Sequence, residues 1–207
     1  GRGHWVGHYL SACALLYAST GDPEIKGRGD TLVAGIAECQ AKLGSSGYVS
    51  AFPESRFAEL EDSTKTSLAY PPFYTVQKLM AGMLDMHQHA DNAQALDVVT
   101  KLAGWVDGWT AARSEDRMQD ILNREFGGIA ESLYNLAAMT NNNRWAQVGD
   151  RFQKKIFIRP LLERQDQLRQ LHANTHIPQV IAAARRYELT DDMRFRVIPK
   201  FFWETVV

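Results

Sequence analysis

Residues 4–23 read HWVGHYLSACALLYASTGDP, and this stretch shows how the chain is built. Apolar and aromatic side chains recur every three or four residues over residues 4–18, which is the spacing of an amphipathic helix. Gly21 then stands where a helix ends, and Asp22 with Pro23 is a pair that commonly begins the next helix. The stretch therefore predicts two helices joined by a very short turn.

The same pattern, a helix-ending residue followed directly by a helix-starting residue, recurs three more times along the chain. It stands at Asp91-Asn92, Asn141-Asn142 and Asp191-Asp192, about 50 residues apart, a spacing that fits a helix pair with its loops. We expect an all-α fold made of helical hairpins, with about eight main helices near residues 4–19, 23–42, 73–90, 92–110, 128–140, 142–156, 177–189 and 191–206. Shorter helical pieces are expected near residues 54–61, 115–124 and 160–166, and Pro199 should break or kink the last main helix.

One long stretch, residues 44–72, departs from the helical pattern because glycine and proline interrupt it repeatedly. Within it, residues 48–52 alternate apolar and polar side chains as a short strand does. A structured loop of this length in a compact domain usually has a functional role.

The composition narrows the classes of partner. The chain has 207 residues, 45% of them hydrophobic, and its 23 basic residues nearly balance its 24 acidic ones. We expect one domain, or at most two, with a sizeable core, no nucleic-acid footprint and a neutral partner. No apolar run approaches the roughly 20 residues that span a bilayer. Cys13 and Cys39 lie among apolar residues, so we expect both to be small buried side chains.

Two histidine pairs have the i, i+4 spacing that puts both rings on one helix face: His4 with His8, and His172 with His176. Four imidazoles could in principle bind a metal and give a metal hydrolase. A more economical interpretation is that His8 faces a cleft while His4 packs or caps. In the second pair, Pro178 should keep the preceding residues extended, so that the helix begins near residue 179.

Polar side chains at helix ends are the other candidates for chemistry. Glu125 precedes two glycines that break the helix, so it can be presented from an irregular turn. Tyr74 and Gln77 lead from the long loop into a helix, and His172 with Asn174 precedes another. Such groups suit a neutral carbohydrate, although helix capping, the helix dipole and core packing explain the same positions. We expect four tryptophans to pack in the core: Trp105, Trp109, Trp145 and Trp203.

Four motifs together resemble a known family, the β-L-arabinofuranosidases of glycoside hydrolase family 127, formerly domain of unknown function 1680. They are RGHWVGHYLSA at residues 2–12, GYVSAFP at 47–53, EFGG at 125–128 and HANTHIP at 172–178. The motifs follow the family's order and span nearly the whole chain.

The resemblance implies an (α/α)6 toroid that removes L-arabinofuranose or related sugars from plant-type glycans. It also implies a retaining mechanism in which a cysteine thiolate, held by a zinc site of cysteines and a glutamate, is the nucleophile. Neither Cys13 nor Cys39 matches the family's catalytic cysteine motifs, so residues 1–207 are expected to be an incomplete toroid, inactive alone and without its own cofactor. The zinc is expected in a longer parent protein. Gln77 stands where the family commonly has histidine, and an amide cannot take up a proton near neutral pH.

Carried over by position, seven residues are predicted to bind the sugar and none to be catalytic: His8, Tyr74, Gln77, Glu125, His172, Asn174 and His176. A toroid opened part-way should expose apolar faces and self-associate. The alternative is a non-catalytic helical domain that binds carbohydrate or protein. The compartment is not indicated by the sequence.

Overall fold

The computed structural model describes residues 3–62, 64, 71–125 and 127–207, and over these ranges the chain is helical and contains no strand. This confirms the all-α prediction. The helices are α1 His4–Thr20, α2 Pro23–Lys42, the 3₁₀ helix Glu54–Glu61, α3 Pro72–Ala90, α4 Ala93–Ala111, α5 Glu115–Leu122, α6 Ile129–Thr140, α7 Asn143–Asp150, α8 Lys155–Leu162, α9 Ala173–Thr190 and α10 Met193–Val206. They divide into an N-terminal unit, Gly1–Ala112, and a C-terminal unit, Arg113–Val207.

At each of the four predicted junctions, two residues connect consecutive helices in the same way. We call such a pair of residues a joint. The first residue is left-handed, with φ of 70° at Gly21, 54° at Asp91, 48° at Asn141 and 53° at Asp191. The second is an Asp or Asn whose side chain accepts a hydrogen bond from a backbone N–H in the first turn of the next helix. Backbone carbonyls at the end of the first helix and backbone N–H groups at the start of the second therefore find hydrogen-bond partners within the joint. Paired helices of this kind are the building blocks of an α/α toroid.

In the N-terminal unit, α1 and α3 approach so closely that only glycine fits between them. A Cβ at Gly7 would overlap the carbonyl of Lys78 and lie 2.7 Å from the backbone nitrogen of Leu79. A Cβ at Gly82 would lie 2.8 Å from the Cβ of Leu10. The two backbones are thus in direct contact, which fixes the side chains at the start of α1 against those at the start of α3.

Aromatic packing anchors the described part of the long loop. The ring of Tyr48 lies 4.7 Å from that of Trp105 and 5.9 Å from that of Phe57, between centroids. The Trp105 indole N–H donates to Glu54 at 2.8 Å, where the 3₁₀ helix begins. Burial raises the pKa of the Tyr48 phenol to about 12, and its hydroxyl donates to the carbonyl of Phe52 at 2.6 Å. The predicted strand at residues 48–52 is therefore wrong: the segment folds back on itself instead of pairing with another strand.

The C-terminal unit has its own apolar core, in which Phe157 and Leu161 of α8 pack with Val180 of α9 and Ile198 of α10. A polar clamp accompanies that core. Arg186 binds both carboxylate oxygens of Asp150, at 3.0 and 2.8 Å, and the Tyr134 hydroxyl donates to the same carboxylate at 2.8 Å. Bidentate pairing of this kind holds α9 in a defined orientation on α7.

Some boundaries differ from the sequence prediction. The helix expected over 142–156 is two helices, α7 and α8, so the short piece expected at 160–166 begins earlier. Helix α9 begins at Ala173 and includes Pro178; a proline this close to the N-terminus removes a single intrahelical hydrogen bond. Helix α10 likewise continues through Pro199 without a break.

Two burial predictions are wrong as well. Cys39 is exposed, whereas Cys13 is buried as expected. Trp203 is 65% exposed, whereas Trp105 and Trp145 are buried. Helical spacing alone cannot tell which apolar side chains a neighbouring element covers.

Candidate functional site

In the N-terminal unit, the first turns of α1 and α3 place a group of rings side by side. The His4 ring lies 5.6 Å from that of Tyr74 and 6.1 Å from that of His8, between centroids. Trp5 lies 5.7 Å from His8, and the Lys78 ammonium stands over the Tyr74 ring at 5.3 Å. The glycine contact between the helices produces this arrangement, because it brings the two first turns within reach of each other.

The electrostatics of this ring group favour the neutral form of His8. The pKa of His8 is lowered, first by partial burial and then by the positive charges of Lys78 and His4. A neutral imidazole has one donor and one acceptor nitrogen, which suits a sugar hydroxyl. The Nδ1 atom of His4 is buried with no hydrogen-bond partner among the described residues.

The long loop meets the same region through Gly3. Its φ is 83°, and a Cβ there would overlap the Cβ of Ala51 and lie 3.3 Å from the side chain of Thr75. The motifs at residues 2–12 and 47–53 are therefore in contact where α3 begins. Gln77, one turn further along α3, is only 5% exposed. Arg2 and Tyr70, which flank these segments in the sequence, lie outside the described residues.

In the C-terminal unit, the start of α9 presents two of the predicted residues to solvent. His172 is the residue before the helix and Asn174 is in its first turn, and both are exposed. Beneath them the Thr175 hydroxyl donates to the carbonyl of His172 at 2.9 Å. The His172 imidazole and the Asn174 amide thus project from a helix start that is held by hydrogen bonds, which is a suitable arrangement for binding hydroxyl groups.

His176, one turn into α9, is buried rather than presented. It is 5% exposed, and its ring packs edge-on against Phe157 with 4.8 Å between centroids. Its Nδ1 lies 2.9 Å from the carbonyl oxygen of His172, and its Nε2 lies 3.3 Å from the ammonium of Lys154. Burial lowers the pKa of His176, and the charge of Lys154 acts in the same direction.

Glu125 lies on a bend that follows α5, outside any helix, as the two glycines indicated. It is 2% exposed, and its backbone N–H donates to the carbonyl of Ile121 at 2.8 Å. The adjoining turn is tied to α9 by Gln179, whose amide donates to the carbonyl of Gly127 at 3.2 Å. Phe126 lies outside the described residues.

The structure thus brings some predicted residues together within each unit. His8 and Tyr74 belong to the ring group of the N-terminal unit; His172, Asn174 and His176 share the start of α9. A separate surface groove of about 560 Å³ between α5 and α8 has none of these residues in its lining.

Three residues beside the predicted ones were not found by sequence reasoning: Lys78, Lys154 and Gln179. Lys78 could have been found, because it lies one helical turn after Tyr74. Lys154 and Gln179 carried no signal, since a lysine or glutamine is ordinarily a surface residue.

A zinc site in a protein needs three or four ligand side chains directed at one ion. No group of three or more His, Cys, Asp or Glu side chains in the described ranges is arranged to hold a metal ion. Cys13 is a buried residue of α1 that faces α2, 3.2 Å from where a Cβ of Gly29 would stand, and Cys39 is an exposed residue of α2. These residues do not fit the family's zinc centre.

Helical hairpins with histidine, tyrosine and amide groups at the helix starts agree with the class of helical glycoside hydrolases. A family model described as β-L-arabinofuranosidase, GH127 catalytic domain, matches residues 1–207. The chain belongs to this glycoside hydrolase family, as its motifs predicted, and a carbohydrate is the class of substrate that follows. No curated protein matches the sequence significantly. None of the helices in the described ranges has the length and apolar character needed to cross a membrane.

Proposed function

We propose that this chain contributes the sugar-binding part of a β-L-arabinofuranosidase-like catalytic domain, acting on L-arabinofuranosides or related plant-type glycans. The observation that carries the proposal is the start of α9, where His172 and Asn174 are exposed on a buried, hydrogen-bonded base. His8 and Tyr74 are the corresponding groups of the N-terminal unit. Gln77, Glu125 and His176 complete the proposed set; they are buried in this chain.

Binding of a furanose by these groups follows from their hydrogen-bonding capacity. A neutral imidazole and a primary amide can each donate to one hydroxyl and accept from another. The lowered pKa of His8 keeps that ring neutral at pH 7. Aromatic rings beside it, such as Tyr74, offer an apolar face to the sugar carbons. Within each unit these groups can orient a neutral ligand without forming a bond to it.

Cleavage with retention needs a nucleophile on one face of the sugar and an acid at the leaving oxygen. We propose that the thiolate and its zinc ligands lie outside these 207 residues, because Cys13 is buried and the described residues include no group of three metal-binding side chains that Cys39 could join. Zinc in the parent protein would lower the pKa of the coordinating thiol. On this proposal the 207-residue chain binds sugar but does not hydrolyse it.

The activity test compares two forms of the protein on p-nitrophenyl β-L-arabinofuranoside, with zinc and reductant present. One is the 207-residue chain, and the other is a longer form that includes the family's cysteine motifs. We expect release of nitrophenol only from the longer form. Hydrolysis by the 207-residue chain itself would contradict the assignment of the nucleophile.

The binding test uses methyl β-L-arabinofuranoside and isothermal titration with the 207-residue chain. His172→Ala and Asn174→Ala should each weaken binding about fivefold to tenfold, which corresponds to loss of one or two ligand hydrogen bonds. Asn143→Ala is the matched control, since Asn143 is an exposed asparagine in the first turn of α7. Equal affinity for all four proteins would argue against the α9 site.

We also propose that the chain self-associates through α1. Trp5, Tyr9 and Leu16 share one face of that helix and are 71%, 46% and 48% exposed. Large apolar side chains exposed on one helix face favour a protein contact. Light scattering after size exclusion should show mass rising with concentration, and Trp5→Gln should suppress the rise. A constant monomer mass would refute the proposal.

A further inference from the structure

A lysine is buried in the C-terminal unit, next to residues with proposed roles in sugar binding. Lys154 is 6% exposed and precedes the first residue of α8. Its backbone N–H donates to the side-chain oxygen of Gln179 at 3.3 Å, and its ammonium lies 3.3 Å from Nε2 of His176. Burying an ammonium is costly unless hydrogen bonds compensate. The contact with His176 is one such hydrogen bond, so it ties the Lys154 ammonium to that ring.

The partners of His176 fix which ring nitrogen carries the proton. An ammonium only donates hydrogen bonds, so Nε2 facing Lys154 must accept. A carbonyl oxygen only accepts, so Nδ1, 2.9 Å from the carbonyl of His172, must donate. Both contacts require the same neutral tautomer, with the proton on Nδ1. The ring thus links the Lys154 ammonium to the main chain of His172.

The link reaches the turn that presents the proposed sugar-binding groups. The carbonyl of His172 also accepts from the Thr175 hydroxyl at 2.9 Å and from the backbone N–H of Thr175 at 3.1 Å. With the backbone N–H of His176 at 3.3 Å, four donors therefore converge on this carbonyl oxygen at the start of α9. Gln179 ties α9 to the neighbouring main chain, since its side-chain amide donates to the carbonyls of Gly127 and Phe152.

We propose that Lys154 is a positioning residue that acts through His176. It holds the imidazole in the Nδ1–H tautomer, and the imidazole holds the first turn of α9 so that His172 and Asn174 are presented to the sugar. The second half of this statement rests on the proposed function; the first half concerns the protein alone. Lys154 does not touch the ligand in this role.

The charges that face His176 set the expected response. Apart from burial, the groups that lower its pKa are the Lys154 ammonium and the His172 imidazole, while the hydrogen bond to the His172 carbonyl raises it. Phe157 covers the ring from α8 without charge. Removing the ammonium therefore removes a repulsion against the imidazolium and frees Nε2 to take up a proton.

The test uses nitrogen-15 NMR of the histidine rings in the 207-residue chain, with His176→Gln to assign the signal. In the unaltered chain we expect the Nδ1–H pattern at neutral pH. Lys154→Met, which keeps the apolar stem, should raise the pKa of His176 and mix the tautomers. Lys154→Arg, which keeps the donor, should restore the original pattern. Lys155→Met is the matched control, because the neighbouring Lys155 pairs with Glu115 at the surface.

A His176 titration that is the same in Lys154→Met as in the unaltered chain would overturn the positioning role. The second readout is affinity for methyl β-L-arabinofuranoside, which should fall about tenfold in Lys154→Met and remain unchanged in Lys155→Met. Loss of the tautomer without loss of affinity would overturn the link to His172 and Asn174. If the unaltered chain binds no sugar, the proposed function fails, and the ring titration still decides the role of Lys154 independently.

Discussion

The contact between α1 and α3 in the N-terminal unit predicts a large penalty for a single methyl group. Gly7→Ala places a Cβ against the carbonyl of Lys78 and 2.7 Å from the nitrogen of Leu79. These are backbone atoms, so no side chain can rotate away, and the helices must separate by roughly 1 Å. Overpacking of this kind costs about 3 kcal/mol. Alanine recovers about 1 kcal/mol through its better helix propensity, which leaves a net destabilisation of about 2 kcal/mol.

The assay is thermal and urea unfolding followed by circular dichroism at the helix band. A loss of about 2 kcal/mol lowers Tm by about 4–8 °C in a chain of this size. Gly35→Ala is the control, because Gly35 is a mid-helix glycine of α2 with nothing within 4 Å of its added Cβ. That variant gains propensity without overlap, so its Tm should rise by about 2–4 °C. If Gly7→Ala proves as stable as Gly35→Ala, the close backbone contact is refuted.

Three further predictions concern stability, pH and thiol access. Arg186→Met should lower the free energy of unfolding in urea by about 2 kcal/mol, because it removes the bidentate partner of Asp150. Arg194→Met is the control: it breaks an exposed ion pair and should change that free energy by less than about 0.5 kcal/mol. The free energy of unfolding should fall as pH drops below 6.5, because the pKa of His176 is lowered in the folded chain and the unfolded chain takes up the proton first. His176→Gln should make the free energy less dependent on pH in this range. An unchanged pH dependence would contradict the lowered pKa of His176. Ellman's reagent should label the thiol of Cys39 at once and the second thiol only in urea; rapid reaction of both would contradict the burial pattern.

Much of the helical architecture could be predicted because its rules are local. The joint at Gly21 and Asp22 is specified by residues that act on their immediate neighbours, and the same holds at Asp91 and Asn92. The predicted start of α9 near residue 179 is wrong, because Pro178 lies inside the helix and not before it. Within the first two turns of a helix a proline removes only one hydrogen bond, so it does not mark where the helix begins.

The candidate site was less predictable, since its geometry depends on contacts distant in sequence. The exposed positions of His172 and Asn174 agree with a prediction made from motifs. The burial of Lys154 could not have been expected, because its ammonium lies against His176 of α9, a residue distant in the sequence. The spacing of apolar residues predicts which face of a helix is apolar, but not whether another element covers that face. For the same reason the predicted burial of Cys39 and Trp203 is wrong.

The two-residue joints have a consequence for how this chain folds during synthesis. Each joint caps the end of one helix and the start of the next within a few residues, so a hairpin needs no distant segment to close its turn. Local contacts of this kind form rapidly and require little loop-closure entropy. Successive hairpins can therefore acquire their turns in the order in which they leave the ribosome, well before the last hairpin has been translated.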